Sequence, residues 1–196
     1  MKRSVVILAF AALLLGGCAA RETDGRAAAL QARYAAASGC TARVTVSVVT
    51  EEETLPYTLD AVRDGEETRV TVLAPEELAG ITASVDADEA LTLEYDGMAL
   101  AAGSLDPNVS AANALSVFLR AVTRGCVVEQ GREAFADTGD ALRLCFESEL
   151  AGAPLRVAAW FDENDRPLYA ELERDGKILA YLEFTDFAFG DILPTA

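Results

Sequence analysis

The sequence predicts an α+β domain that is mainly β: a curled antiparallel sheet, or half-closed barrel, with about two helices plugging its concave face. Three observations predict it. Apolar and polar residues alternate with period two from Thr41 almost to the end, three Asp-Gly pairs mark tight turns, and only two stretches carry a helical period. Sequential hairpins make an antiparallel meander, and a sheet of this many strands must curl.

Each element follows in order. Lys2 and Arg3 precede an apolar run from Val5 to Leu15, which ends in Gly16-Gly17-Cys18. Residues 1–17 therefore read as a secretory signal with small residues before the cut. The run is shorter than the roughly 20 residues a spanning helix needs. Residues 18–24 are expected to be a solvated tether, and residues 25–196 a single domain. The first helix is predicted over 24–38, with Ala27, Leu30, Tyr34 and Ala37 on one face, Arg26 and Arg33 turned away, and Gly39 as its stop. From Thr41 the period changes: Val44, Val46 and Val48 point one way, Arg43, Thr45 and Ser47 the other. Strands are expected near 41–50, 57–63, 67–74, 81–86, 90–96 and 98–102. A second helix follows, opened by Asp106-Pro107-Asn108 and closed by Gly125, with Ala112, Leu115, Phe118, Leu119 and Val122 on its apolar face. Five more strands are expected near 126–134, 141–150, 154–162, 168–174 and 177–189.

The Asp-Gly pairs test the register, because a hairpin must set like faces opposite each other. A two-residue turn at Asp64-Gly65 sets Leu59 against Val70 and Tyr57 against Val72. One at Asp96-Gly97 sets Leu93 against Leu100 and Leu91 against Ala102. The same turn at Asp175-Gly176 would put Ile178, Ala180, Leu182 and Phe184 on the wrong face. A three-residue loop is expected there instead, with Gly176 in a bulge and Leu172 opposite Ile178.

Composition narrows the chemistry. The net charge is −16, and loss of Lys2 and Arg3 with the signal takes it to −18. Such a surface repels nucleic acid and anionic headgroups, and attracts a basic protein or a cationic wall component. The absence of histidine removes the usual general base, the Ser-His and Cys-His pairs and any imidazole metal site. The acidic loop Asp162-Glu163-Asn164-Asp165 lacks the glycine and distal glutamate of a calcium loop, and reads as a hairpin turn. No catalytic residue, metal or cofactor is expected.

Export leaves Cys40, Cys126 and Cys145 where disulfides persist. Cys126 with Cys145 is the first expectation, since they stand on neighbouring strands. Cys40 with Cys126 is the alternative, since each follows a glycine at a helix end. Against the first, Cys145 falls on the polar side of its strand beside Arg143 and Glu147.

Two resemblances enter on quoted residues. The junction Leu15-Gly16-Gly17-Cys18 resembles the lipobox of bacterial lipoproteins, which implies diacylglycerol on Cys18 and cleavage just before it. The phrases Val72-Leu73-Ala74-Pro75-Glu76 with Gly80-Ile81, and Phe161-Asp162, Pro167-Leu168, Glu171-Leu172, Gly176-Lys177, Leu182, Phe184 and Phe187, resemble the LolA/LolB-like fold. Within that group the chain is most similar to clostridial spore-germination lipoproteins (GerS-like). The resemblance implies a lipid-anchored protein on the outer face of the cytoplasmic membrane, or facing the periplasm in a host with two membranes.

Two functions are then expected. One is a non-catalytic module that docks or regulates another envelope or spore-cortex protein. The other is a holder or acceptor of an acyl or lipoprotein ligand in a cavity lined by Val46, Leu59, Val72, Leu93, Val157 and Phe184, residues that equally make a plain core. For the first, Trp160, Tyr169 and Tyr181 oppose the apolar set of their strands, with Leu179 alongside. They form either a partner-binding stripe or simple cross-strand pairs.

Overall fold

The computed structural model describes residues 19–105, 107–135 and 139–190. The expected signal, Cys18 and Asp106 lie outside them. The elements are helix α1 (Ala19–Ala36), strands β1 (Gly39–Val49), β2 (Thr54–Asp64) and β3 (Glu67–Ala74), a 3₁₀ turn (Glu76–Leu78), β4 (Thr82–Val85), β5 (Ala90–Tyr95) and β6 (Met98–Ser104). Helix α2 (Ala114–Arg124) follows, then β7 (Cys126–Ala134), β8 (Asp140–Leu150), β9 (Ala153–Phe161), β10 (Pro167–Arg174) and β11 (Lys177–Phe189). Among the described residues the strands form one antiparallel sheet in the order β6-β5-β4-β3-β2-β1-β11-β10-β9-β8-β7. Two meanders thus meet where β1 pairs with β11, and the sheet stays open with β6 and β7 as its edges.

The curl has a local cause in β11. One register shift lies opposite Leu172/Glu173 and another opposite Arg43/Val44, so the longest strand carries two extra residues, Leu179 and Thr185. Bulges of this kind bend a strand and increase its twist. The third hairpin is explained by the first of them. Its turn has two residues, Asp175 and Gly176 at φ 52° and 75°, and pairs Arg174 with Lys177. The expected three-residue loop is therefore corrected: Leu179 absorbs the extra position within the strand, and Leu172 stands opposite Ala180 rather than Ile178. The core face still agrees, which is the constraint that matters.

The other hairpins differ in detail. Gly65 and Glu66 form the first turn, so Leu59 faces Val72 and Ala61 faces Val70, a two-residue shift that preserves the faces. At Asp96-Gly97 Leu93 faces Leu100 as expected, but a bulge sets Leu91 against Gly103 instead of Ala102.

Both helices lie against the core, and each departs from its sequence pattern. Helix α2 is nearly enclosed: Ala114, Leu115, Val117, Phe118, Leu119, Ala121 and Val122 are all buried. It begins at Ala114, later than its expected start, because Asn113 organises the approach. The Asn113 side chain accepts from Ser110 N–H at 2.8 Å and donates to the Asn108 carbonyl at 2.9 Å. Gly125 ends the helix at φ −67°, and an added Cβ would lie 2.4 Å from the Ala121 carbonyl oxygen. Close approach therefore requires glycine here. Helix α1 starts at Ala19 rather than 24, since no breaker interrupts 19–24, and ends at Ala36.

Arg26 and Arg33 lie off the buried face of α1, as expected, and from there they clamp the acidic turn. Both ion-pair with the nearly buried Asp165 carboxylate, and Arg33 also donates to the Asn164 carbonyl at 2.6 Å. The buried Tyr34 hydroxyl donates to the Asp165 carbonyl at 2.9 Å. Asp162 accepts from the N–H groups of Asn164 and Arg166 at 2.8 Å each, which folds the turn on itself. On the opposite side Gln31 donates to the Val122 and Gly125 carbonyls at 3.2 and 2.9 Å, tying α1 to the end of α2.

Candidate functional site

The trough of the sheet is mostly filled by the protein itself. Phe118 of α2 sits 5.1 Å from the Phe184 ring and 6.5 Å from Phe161, measured between centroids. Val46, Leu59 and Val157 are fully buried beneath the helices, and Phe184 packs against the same cluster. These four residues, expected to line a cavity, are core.

Space remains at one end. A cleft of about 280 Å³ opens between β1–β5 and the segment entering α2, lined by Val48, Tyr57, Val70, Val72, Leu78, Ile81, Ala83, Leu93 and residues Val109 to Ala112. Val72 and Leu93 are the two expected cavity residues that do line it. Pleating supplies its wall: Val70 pairs with Ala83 across β3 and β4, and Ala83 with Leu93 across β4 and β5, so all point to one side. The small residues Ser110, Ala111 and Ala112 leave the volume empty where bulkier ones would close it. That run was the available sequence signal for the cleft.

The cleft wall is apolar save for Ser110 and Tyr57, and it holds no carboxylate, amine or thiol. Such a surface binds by excluding water and has little with which to move a proton. Its volume lies near the lower end of small-molecule sites, about 300–1,000 Å³. That is room for one short apolar segment.

The aromatic residues of the outer face form a ladder. Phe135, Trp160, Tyr169 and Tyr181 succeed one another with ring centroids 5.4 to 6.4 Å apart. Trp160 donates its indole N–H to Glu133 at 3.0 Å, with the Arg143 guanidinium 5.3 Å from its ring. The Tyr169 hydroxyl donates to Glu171 at 3.2 Å, and burial pushes its pKa above the usual phenol range. Leu179, expected beside them, is the bulge residue and packs against the core cluster. The ladder thus spends most of its polar capacity within the sheet. Changing Trp160 and Tyr181 to alanine is expected to cost about 1–3 kcal/mol from lost ring contacts. Chemical denaturation of the double variant checks this, and an unchanged midpoint would show the rings to be idle in the fold.

Cys40, Cys126 and Cys145 are free thiols, so neither expected bridge is present. Cys126 faces Glu147 across β7 and β8, one diagonal step from Cys145, whose Sγ donates to Glu129 at 3.5 Å. Cys40 is buried at the start of β1, and burial pushes its thiol up to about 11. Burial also raises Cys145, whereas Cys126 is exposed. In native Cys18→Ser protein at pH 8, Cys126 should therefore be alkylated first, and the other two only on unfolding. Peptide mapping after timed iodoacetamide treatment reads the order directly.

No protein-family model matches the chain, and no curated protein matches it in sequence. Solved structures do match in fold. An uncharacterized conserved protein from Thermus thermophilus aligns with TM-score 0.51 at 15% identity, over 87% of this chain and 89% of that one. A domain named for outer membrane lipoprotein sorting, from Vibrio parahaemolyticus, aligns with TM-score 0.51 at 13% identity, over 86% and 92%. In fold, the chain is similar to a lipoprotein-sorting domain. A LolA superfamily protein from Nitrosomonas europaea also aligns, with TM-score 0.48 at 11% identity over 85% and 94%. The curled, open antiparallel sheet with two helices on it is therefore the arrangement that the chain shares with the Thermus and Vibrio structures. At these identities the likeness is one of fold.

Proposed function

We propose that this chain is an exported, non-catalytic binding module, anchored to a membrane through lipid on Cys18, that engages the apolar segment of another envelope protein at the cleft. The observation that carries the reading is the packing of the trough: the fold keeps a hydrophobic docking point at one end and fills the remainder with Phe118 and its neighbours. The anchor sequence and the absence of histidine support it. Among the described residues no helix is long and apolar enough to cross a membrane. Attachment then rests on the lipid, and two acyl chains suffice for that where one does not. A role beside cortex-degrading enzymes, implied by the resemblance to spore-germination lipoproteins, is the narrowest form of this proposal.

The cleft volume favours one second reading, in which a single acyl segment occupies it. Native mass spectrometry of the protein released from its host membranes separates the two. A stoichiometric envelope protein that is lost on Leu93→Asp supports the module. A co-purified acyl ligand lost on the same substitution supports the second reading, and retention of either species by the variant overturns the cleft as the site.

A further inference from the structure

The two edges of the sheet are unlike. β7 carries Glu129, Arg132 and Glu133, and α1 packs against it. β6 reads Met-Ala-Leu-Ala-Ala-Gly-Ser, with no charge and no proline, and every one of its residues is exposed. Natural edge strands are normally blunted by charge, proline or a covering element, because their unpaired N–H and C=O groups template another strand. β6 has none of these guards, and the bulge it does carry, at Ala102, lies beyond Ala101 toward the far end of the strand.

Its geometry is that of a receiving edge. The turn at Asp96-Gly97 pairs Tyr95 with Met98 and Leu93 with Leu100. In a two-residue hairpin the closing pair exchanges hydrogen bonds, so Met98 and Leu100 bond inward to β5, and Ala99 and Ala101 direct their N–H and C=O groups outward. Met98 and Leu100 share the face of Leu93, which lines the cleft, and they are 70% and 66% exposed, with Tyr95 at 55% beside them. An open backbone edge therefore runs alongside an apolar surface continuous with the cleft.

Charge selects the occupant. From Val70 to Leu119 the chain has no Lys or Arg, while Glu76, Glu77, Glu94 and Asp96 are exposed around this end of the sheet. A second copy would bring the same acidic rim against itself, and an acyl chain has no groups to pair with the backbone. We propose that β6 accepts an extended protein segment with apolar alternate residues and Lys or Arg at its ends, which adds to the sheet as a twelfth strand. This rests on the binding-module reading and gives it a partner chemistry.

The test uses the mature lipidated protein in phosphatidylcholine nanodiscs and the fluorescein-labelled peptide Lys-Lys-Val-Thr-Leu-Thr-Val-Lys-Lys. Saturable binding by anisotropy is expected, with slowed amide exchange in Met98–Ser104. Ala101→Pro removes one outward N–H at an edge position that tolerates proline, and should weaken binding about tenfold. N-methylation of alternate peptide residues should do the same without altering the protein, and glutamates in place of the lysines should abolish binding. If the N-methylated peptide binds as well as the parent, with Leu93→Asp still abolishing it, strand addition is overturned and the cleft reading stands. Absence of peptide binding, or self-association that Ala101→Pro removes, overturns the proposal as well.

Discussion

Cys18→Ser is expected to move the protein from the membrane fraction to an uncut precursor or a secreted soluble form. The effect is large because buried acyl chain contributes about 0.8 kcal/mol per CH₂, and nothing else on this acidic surface favours an anionic bilayer. Fractionation of cells grown with labelled palmitate reads it. Label retained by the variant would remove the lipid anchor from the account, and with it the confinement of the binding surface to one side of a membrane.

Phe118→Ala is expected to be the most destabilising single substitution in the trough. The side chain is fully buried, and its ring stacks on Phe161 and meets Phe184. Large-to-small changes of this kind cost about 3–5 kcal/mol, against a total of about 5–15 kcal/mol for a domain. The melting temperature should fall by about 6–20 °C at this chain length. Met98→Ala, 70% exposed on β6, should leave it nearly unchanged. Thermal unfolding followed by circular dichroism compares the two. A small effect at Phe118 would mean that the trough relaxes easily, and that the helices fill it less firmly than their burial indicates.

The sequence carried the sheet more fully than the site, for physical reasons. Period-two alternation is a backbone property, so Val44, Val46 and Val48 announce their face wherever the strand sits. Each strand was legible in this way, including the need for an odd residue in the last hairpin. Where that residue went was not legible, because a longer turn and a bulge at Leu179 satisfy the same face rule. The clamp of Arg26 and Arg33 on Asp165 was hidden because it joins residues about 130 positions apart. The cleft was half hidden. Val72 and Leu93 belong to the same apolar stripe as Val46 and Leu59, and only the small side chains of Ser110 to Ala112 decide which part of that stripe stays open. The ladder of Trp160, Tyr169 and Tyr181 was visible as outward-facing aromatics, yet its hydrogen bonds to Glu133 and Glu171 depend on cross-strand positions that alternation alone does not give.

The proposed binding surface is the cleft end of the fold and not its aromatic ladder. Site-specific photo-cross-linking in intact cells tests it most directly, with a benzophenone amino acid placed in turn at Leu93, Leu100 and Tyr181. A discrete protein adduct is expected from Leu93 and Leu100 and none from Tyr181. An adduct from Tyr181 alone would contradict it and move the interface to the outer face of β9–β11.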